Sequence, residues 1–108
     1  SYNANPDSVI AAINVLAELP APTVLVLGDM AEVGENGPQM HEEVGQYARN
    51  KGISYVFTYG NASALAARAC GPTAEHMTDI HQIAERVVAK QPASILVRKE
   101  RGRPCSMN

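Results

Sequence analysis

Side chains able to do chemistry gather in three places along the chain. The first is the opening stretch Ser1-Tyr2-Asn3-Ala4-Asn5-Pro6-Asp7-Ser8, which runs into a helix start. Free amides and the helix dipole favour anions at such a point. Tyr2 could stack on a purine, and Asn3 or Asn5 could bond a ribose or a phosphate. The plainer reading makes Asn5 a helix cap and Tyr2 a packed loop residue. The second place is Gly28-Asp29-Met30, behind an apolar run, with Glu32 and Glu35 in the loop beyond it. A carboxylate there could hold an ammonium group or a magnesium ion, or simply bond neighbouring loop amides. The third is the run Arg98, Lys99, Arg101 and Arg103, interrupted by Glu100. Arginines at a strand end suit bidentate contact with a carboxylate or phosphate. A solvated tail, with Gly102, Pro104 and Ser106, is the alternative.

Other constellations are missing. His41, His76 and His81 have no metal-ligand spacing with one another or with a cysteine, which leaves surface or helix-packing roles for them. No Ser–His–Asp order can be defended. Neither G-x-x-x-x-G-K-[ST] nor G-x-G-x-x-G occurs, so the chain has no phosphate-cradling loop of its own.

The elements that must position these residues alternate. Asn5-Pro6 opens a helix carrying Val9, Ile10, Ile13, Leu16 and Ala17 on one side, stopped by Pro20 and Pro22. The run 23–27 is short, continuous and rich in β-branched residues, which predicts a strand buried on both faces. Pro38 restarts helix, with Val44, Tyr47 and Ala48 inward and Gly52 placed as a C-terminal cap. Ser54–Thr58 reads as the second strand. Asn61 is expected to cap a helix over 62–70, and Glu75–Met77 to form a third strand. Asp79 and Gln82 make a capping-box pattern for a last helix, with Ile80, Ile83, Ala84, Val87 and Val88 inward. Ser94–Val97 closes the series.

Helix–strand alternation with short connections implies parallel strands and right-handed crossovers. The expected fold is α/β: a three-layer, Rossmann-like domain with a mostly parallel sheet, spanning 1–108 as one unit. Such sheets bind ligands beyond the carboxyl ends of their strands. That edge should carry Asp29, Met30, Tyr59, Gly60, Thr78, Arg98 and Lys99.

Composition sets limits. At 45% hydrophobic and 19% charged, with pI near 5.9, the chain has ordinary globular values. A net charge of -2 argues against a general nucleic-acid binder. Cys70 and Cys105 give no disulfide framework, so a reducing, cytoplasmic setting is expected. No apolar run approaches a membrane span. The chain begins at Ser1, inside what looks like a motif, which suggests an excised piece.

Three segments together resemble the Mur ligases. Ser1–Ser8 is similar to the D-D-x-Y-N-A-N-P-x-S signature of the members that add D-alanyl-D-alanine in peptidoglycan synthesis. Val26-Leu27-Gly28-Asp29-Met30-Ala31-Glu32-Val33-Gly34 resembles their L-G-D-M-x-E-L-G, and His41-Glu42-Glu43-Val44-Gly45 their H-x-x-V-G. The resemblance runs from Ser1 to Val97. It implies the C-terminal domain of a three-domain ligase whose N-terminal and central ATPase domains lie elsewhere. The implied activity is ATP-driven amide formation. The carboxylate of a UDP-MurNAc-tripeptide is phosphorylated, and the amino group of D-Ala-D-Ala attacks the acyl phosphate.

On this resemblance ATP and Mg2+ are held mainly by the central domain, and no catalytic or metal-binding residue falls in this chain. Tyr2, Asn3 and Asn5 would lie on the ATP side. Asp29, Met30 and Glu32, with Arg98 and Arg101, would lie on the substrate side. The chain would act as a lid against the central domain, inactive alone, with no nucleic-acid or membrane partner. It departs from the family after the last strand. V-K-G-S-R becomes Val97-Arg98-Lys99-Glu100-Arg101, which would crowd a closely approaching phosphate or carboxylate.

Two other classes compete. A receiver-like regulatory module would use Asp29 as phosphoacceptor, but it needs an acidic pair that the strand ends do not provide. A small-ligand domain of the sugar-isomerase type would need Ser/Thr-rich loops, and Ser63 is the sole candidate for one.

Overall fold

The structure, a computed structural model, describes residues 6–30 and 34–98. Its elements run α1 (Pro6–Ala17), β1 (Thr23–Leu27), one 3-10 turn (Gly34–Asn36), α2 (Gly37–Asn50), β2 (Tyr55–Tyr59), α3 (Ser63–Cys70), β3 (Ala74–Met77), α4 (Ile80–Lys90) and β4 (Ser94–Arg98). The four strands form one sheet in the order β3-β2-β1-β4, and every pairing is parallel. The chain steps from β1 outward to β3, then returns through α4 to the far side of β1. That reversal puts α4 on the face opposite α2 and α3, because right-handed crossovers in opposite directions cover opposite faces. The three-layer α/β architecture expected from the alternation is what the chain forms.

Alternation along β1 divides the core. Leu25 and Leu27 face α1, α2 and α3, packing with Val9, Ile13, Leu16, Val44, Ala48, Val56, Ala66 and Cys70. Val24 and Val26 face α4, where Phe57, Met77 and Ile83 complete a smaller cluster. All five β1 residues are buried, as a continuous apolar run in a central strand requires. Each fully buried large side chain, such as Phe57 or Leu25, contributes about 1.5–3 kcal/mol of transfer free energy.

The larger cluster tolerates little slack. A Cβ on Gly45 of α2 would sit 2.0 Å from the carbonyl oxygen of Ala66 in α3, so these helices meet backbone to backbone. At the amino end of the sheet, the Thr23 amide donates to Ser54 Oγ and the Ser54 amide to Thr23 Oγ1, both at 2.9 Å. Ser54 is thereby taken into a side-chain clasp, and β2 begins one residue later than its composition suggests.

One expectation fails on the α4 side. Of the five residues predicted to face inward, only Ile83 is buried. Ile80 is 51% exposed and Val88 73%. Ala84 is also exposed, while Val87 packs partly against the small cluster. A single helix cannot roof four strands. α4 lies against the Phe57–Met77 side, and Ile95 and Val97 of β4 on the same face stay half exposed.

Candidate functional site

The carboxyl ends of β1, β2 and β4 meet in one rim, and the sequence change from β-branched residues to Gly-Asp-Met ends β1 there. Leu27 pairs with Arg98, and the Gly28 amide donates to the Arg98 carbonyl at 2.8 Å. Asp29 and Arg98 therefore stand at the tips of adjacent strands. The direction of chain winding reverses between those two strands, and α/β sheets open a crevice at such a point.

Asp29 is already engaged. Its Oδ2 accepts the Asn61 amide at 2.9 Å and its Oδ1 the Ser63 amide at 2.8 Å. Partial burial works against ionisation of this carboxyl. The amides of Asn61, Ser63 and Ala62 and the Ser63 side chain more than offset it, holding the group below the usual aspartate range. The Ser63 hydroxyl donates to the Tyr59 carbonyl, so the amides carry most of that stabilisation.

Asn61 was expected to cap the third helix. Instead Ala62 holds the cap position with no side-chain bond, and the capping carboxylate arrives from β1. Gly60 explains how it fits: with φ +113°, a Cβ there would lie 2.5 Å from Asp29 Oδ1. The carboxylate occupies the space a side chain would need.

Two histidines brace the same rim. His41 is buried and uses both ring nitrogens: Nε2 accepts the Met30 amide at 2.9 Å, and Nδ1–H donates to the Gly37 carbonyl at 2.7 Å. That pairing requires the neutral Nδ1–H tautomer. His76 joins β3 to β2, with Nδ1 at 2.7 Å from Thr58 Oγ1 and Nε2 at 3.0 Å from the Gly60 carbonyl. Both make structural contacts: of the surface or helix-packing roles expected for the histidines, buried His41 takes the packing one, and the partly exposed His76 bridges strand ends. The strand-end rule already placed Gly60 at this edge, but nothing local in the sequence singled out His41, His76 or Ser63 as rim residues. The useful signal was the motif pair that carried the family resemblance, since His41 and Asp29 both fall in it.

Of the expected site residues, Asp29 and Arg98 come together at the rim. Met30 adjoins them, but its side chain is 5% exposed and packs in the larger core, while its amide goes to His41. Arg98 is half-buried, and among the described residues its guanidinium reaches the Val97 carbonyl, at 3.4 Å. Glu35 is exposed in the 3-10 turn. Tyr2, Asn3, Asn5, Glu32, Lys99 and Arg101 lie outside the described residues. Among the described residues no cluster of three or more His, Cys, Asp or Glu side chains could hold a metal ion. No helix there is long and apolar enough to cross a membrane.

Comparison with known proteins adds to this geometry. The family model described as Mur ligase, glutamate ligase domain, matches residues 1–98. The UDP-N-acetylmuramoyl-tripeptide–D-alanyl-D-alanine ligase of Escherichia coli K12 is 40% identical over 105 residues, 94% of this chain and 23% of that protein. The protein of the same name from Haemophilus influenzae is 42% identical over 88 residues, 82% of this chain and 19% of that one. The chain thus spans about a fifth of the length of these relatives. In fold, it is similar to the MurF ligase of Thermotoga maritima solved with ADP, with a TM-score of 0.77 at 21% identity, covering 93% of this chain and 23% of that one. A MurF of Acinetobacter baumannii gives 0.74 at 22% identity, covering 93% and 24%.

Proposed function

The chain belongs to the Mur ligase family, and from that premise we propose that it is the C-terminal lid of a D-alanyl-D-alanine-adding ligase. One observation carries the proposal: 40% identity across 94% of the chain to a relative of that name. On this reading the whole enzyme uses ATP to join D-Ala-D-Ala to UDP-MurNAc-tripeptide in the cytoplasm. This chain's part is closure. An acyl phosphate must be kept from water until the amine attacks, and a lid pressed over the central domain does this.

The rim is the working edge of that lid. Arg98 offers a cation suited to a carboxylate, such as the dipeptide terminus, at the mouth of the crevice. Asp29 and Met30 stand beside it, with Glu32 and Arg101 assigned to the same side. Tyr2, Asn3 and Asn5 are assigned to the ATP side, before α1. Asp29 is a poor magnesium ligand, since its two oxygens already accept amides, and among the described residues no carboxylate cluster joins it. On this reading magnesium is held mainly by the central ATPase domain.

The test is a graft. This chain replaces the matching segment of the Escherichia coli relative, and the dipeptide-dependent product is followed by mass. The expected outcome is product from the graft and no ATP turnover by the 108-residue chain alone. ATP hydrolysis by the isolated chain, or a folded graft that binds both substrates and makes no product, overturns the proposal. The receiver-like alternative predicts a stable adduct at Asp29 after treatment with a small phosphodonor. The amides bonded to both oxygens favour no such adduct.

A further inference from the structure

We infer that Asp29 is a positioning residue of the acceptor crevice: it sets the turn from Gly60 to Ser63, and that turn, not the carboxylate, forms the β2 wall. The identity of the acceptor rests on the ligase reading above; the rest comes from geometry.

A helix cap is normally local, and an Asp or Ser at position 62 would have capped α3 without reaching across the sheet. Here Ala62 holds that position, and the cap is supplied from 32 and 34 residues upstream. A remote carboxylate does one thing that a local one cannot. It couples the tip of β1 to the tip of β2, so neither loop moves without the other.

The turn is held from its other side as well. The Gly60 carbonyl accepts His76 Nε2–H, and His76 Nδ1 in turn accepts the Thr58 hydroxyl. Gly60 sits between the two clamps in a left-handed conformation, with no room for a side chain. Three strand ends are thereby locked in register beside the crevice between β1 and β4. A carboxylate already accepting two amides is also a poorer partner for an incoming ammonium than a free one, because its charge is partly neutralised.

Two variants separate positioning from contact. Asp29→Asn keeps one acceptor but turns an NH2 toward an amide. Gly60→Ala leaves the carboxylate chemically intact and displaces it through a Cβ. In the graft, both variants are expected to raise KM for D-Ala-D-Ala about tenfold, the factor for losing roughly one charge-assisted hydrogen bond. KM for ATP is expected to stay within about twofold, well under one hydrogen bond's worth.

If Asp29→Asn loses the acceptor while Gly60→Ala behaves as wild type, Asp29 touches the acceptor and the inference falls. If KM for ATP and dipeptide rise together with a lower Tm, the role is only structural and it falls again. An inert wild-type graft sinks the ligase reading, and the acceptor wall with it. The clasp is judged separately, on the isolated chain by NMR. The Asn61 and Ser63 amide signals should follow the Asp29 carboxyl through acid titration and lose that response in Asp29→Asn. Amides that ignore the titration overturn the clasp whatever the graft does.

Discussion

Replacing His41 by alanine should be among the most damaging single changes in the domain. The ring is 1% exposed and bridges two backbone groups, the Met30 amide and the Gly37 carbonyl. Removing it leaves the Met30 amide without its partner in the interior, at a cost of about 1–3 kcal/mol, whereas the Gly37 carbonyl keeps the helical bond from the backbone amide of residue 41. It also leaves a side-chain void, and water entering that void would bring the cost toward the lower end. Taken together the loss should be about 3–5 kcal/mol, a large part of the roughly 5–15 kcal/mol that holds a domain of this size folded. At roughly 4–8 °C per kcal/mol, Tm should fall by about 12–40 °C. Urea unfolding followed by far-UV circular dichroism measures this, provided the slope m matches wild type. His41→Gln can accept from Met30 or donate to Gly37 but cannot span both, so it should recover about half. A His41→Ala loss under about 1 kcal/mol at unchanged m would mean the two bonds do not hold the rim, and the reasoning fails.

Other outcomes follow from the same contacts. Gly45→Ala must push α2 away from the Ala66 carbonyl of α3, and should cost about 2–3 kcal/mol in the urea midpoint as overpacking against backbone. Asp29 has a depressed pKa in the folded chain, so its stabilisation is present above the usual aspartate range near pH ~3.9 and is lost as pH falls through the folded value. The stability gap between wild type and Asp29→Asn should therefore be full at neutral pH and shrink in acid, and a gap independent of pH would contradict the clasp. Asp79 caps α4 by accepting the His81 amide at 2.9 Å. Asp79→Ala should cost about 1 kcal/mol, with faster amide exchange concentrated in the first turn of α4.

Most of the fold could be read in advance because it follows local rules. Pro6 starts α1, the continuous run 23–27 makes a central strand, and Asp79 caps α4. Boundaries moved where a distant group intervened. α2 starts one residue earlier than Pro38, after a 3-10 turn, and β2 starts after Ser54 because Thr23 engages it. The inner face of α4 was misread for a different reason. Periodicity marks which residues share a side of a helix, but not how much sheet lies beneath that side. Among the described residues α4 alone covers its face of four strands, and Val88 remains exposed.

The rim was legible in outline only, since the rule that ligands meet strand ends places Asp29 and Arg98 there but says nothing of what already binds them. The bonds that give the rim its shape join residues 11 to 34 positions apart: Met30 with His41, Thr58 with His76, Asn61 and Ser63 with Asp29. No local pattern encodes such pairings, because each depends on which strand tips become neighbours after the sheet forms. This ordering has a consequence for function. A recognition surface assembled from tertiary hydrogen bonds is correct only when the sheet register is correct, so any slip of β2 against β1 would release the Asp29 clasp and reshape the rim. The tight Gly45–Ala66 contact lies on α2 and α3, the two helices that follow β1 and β2. It guards that register, and close packing far from the strand ends thereby keeps the strand ends in place.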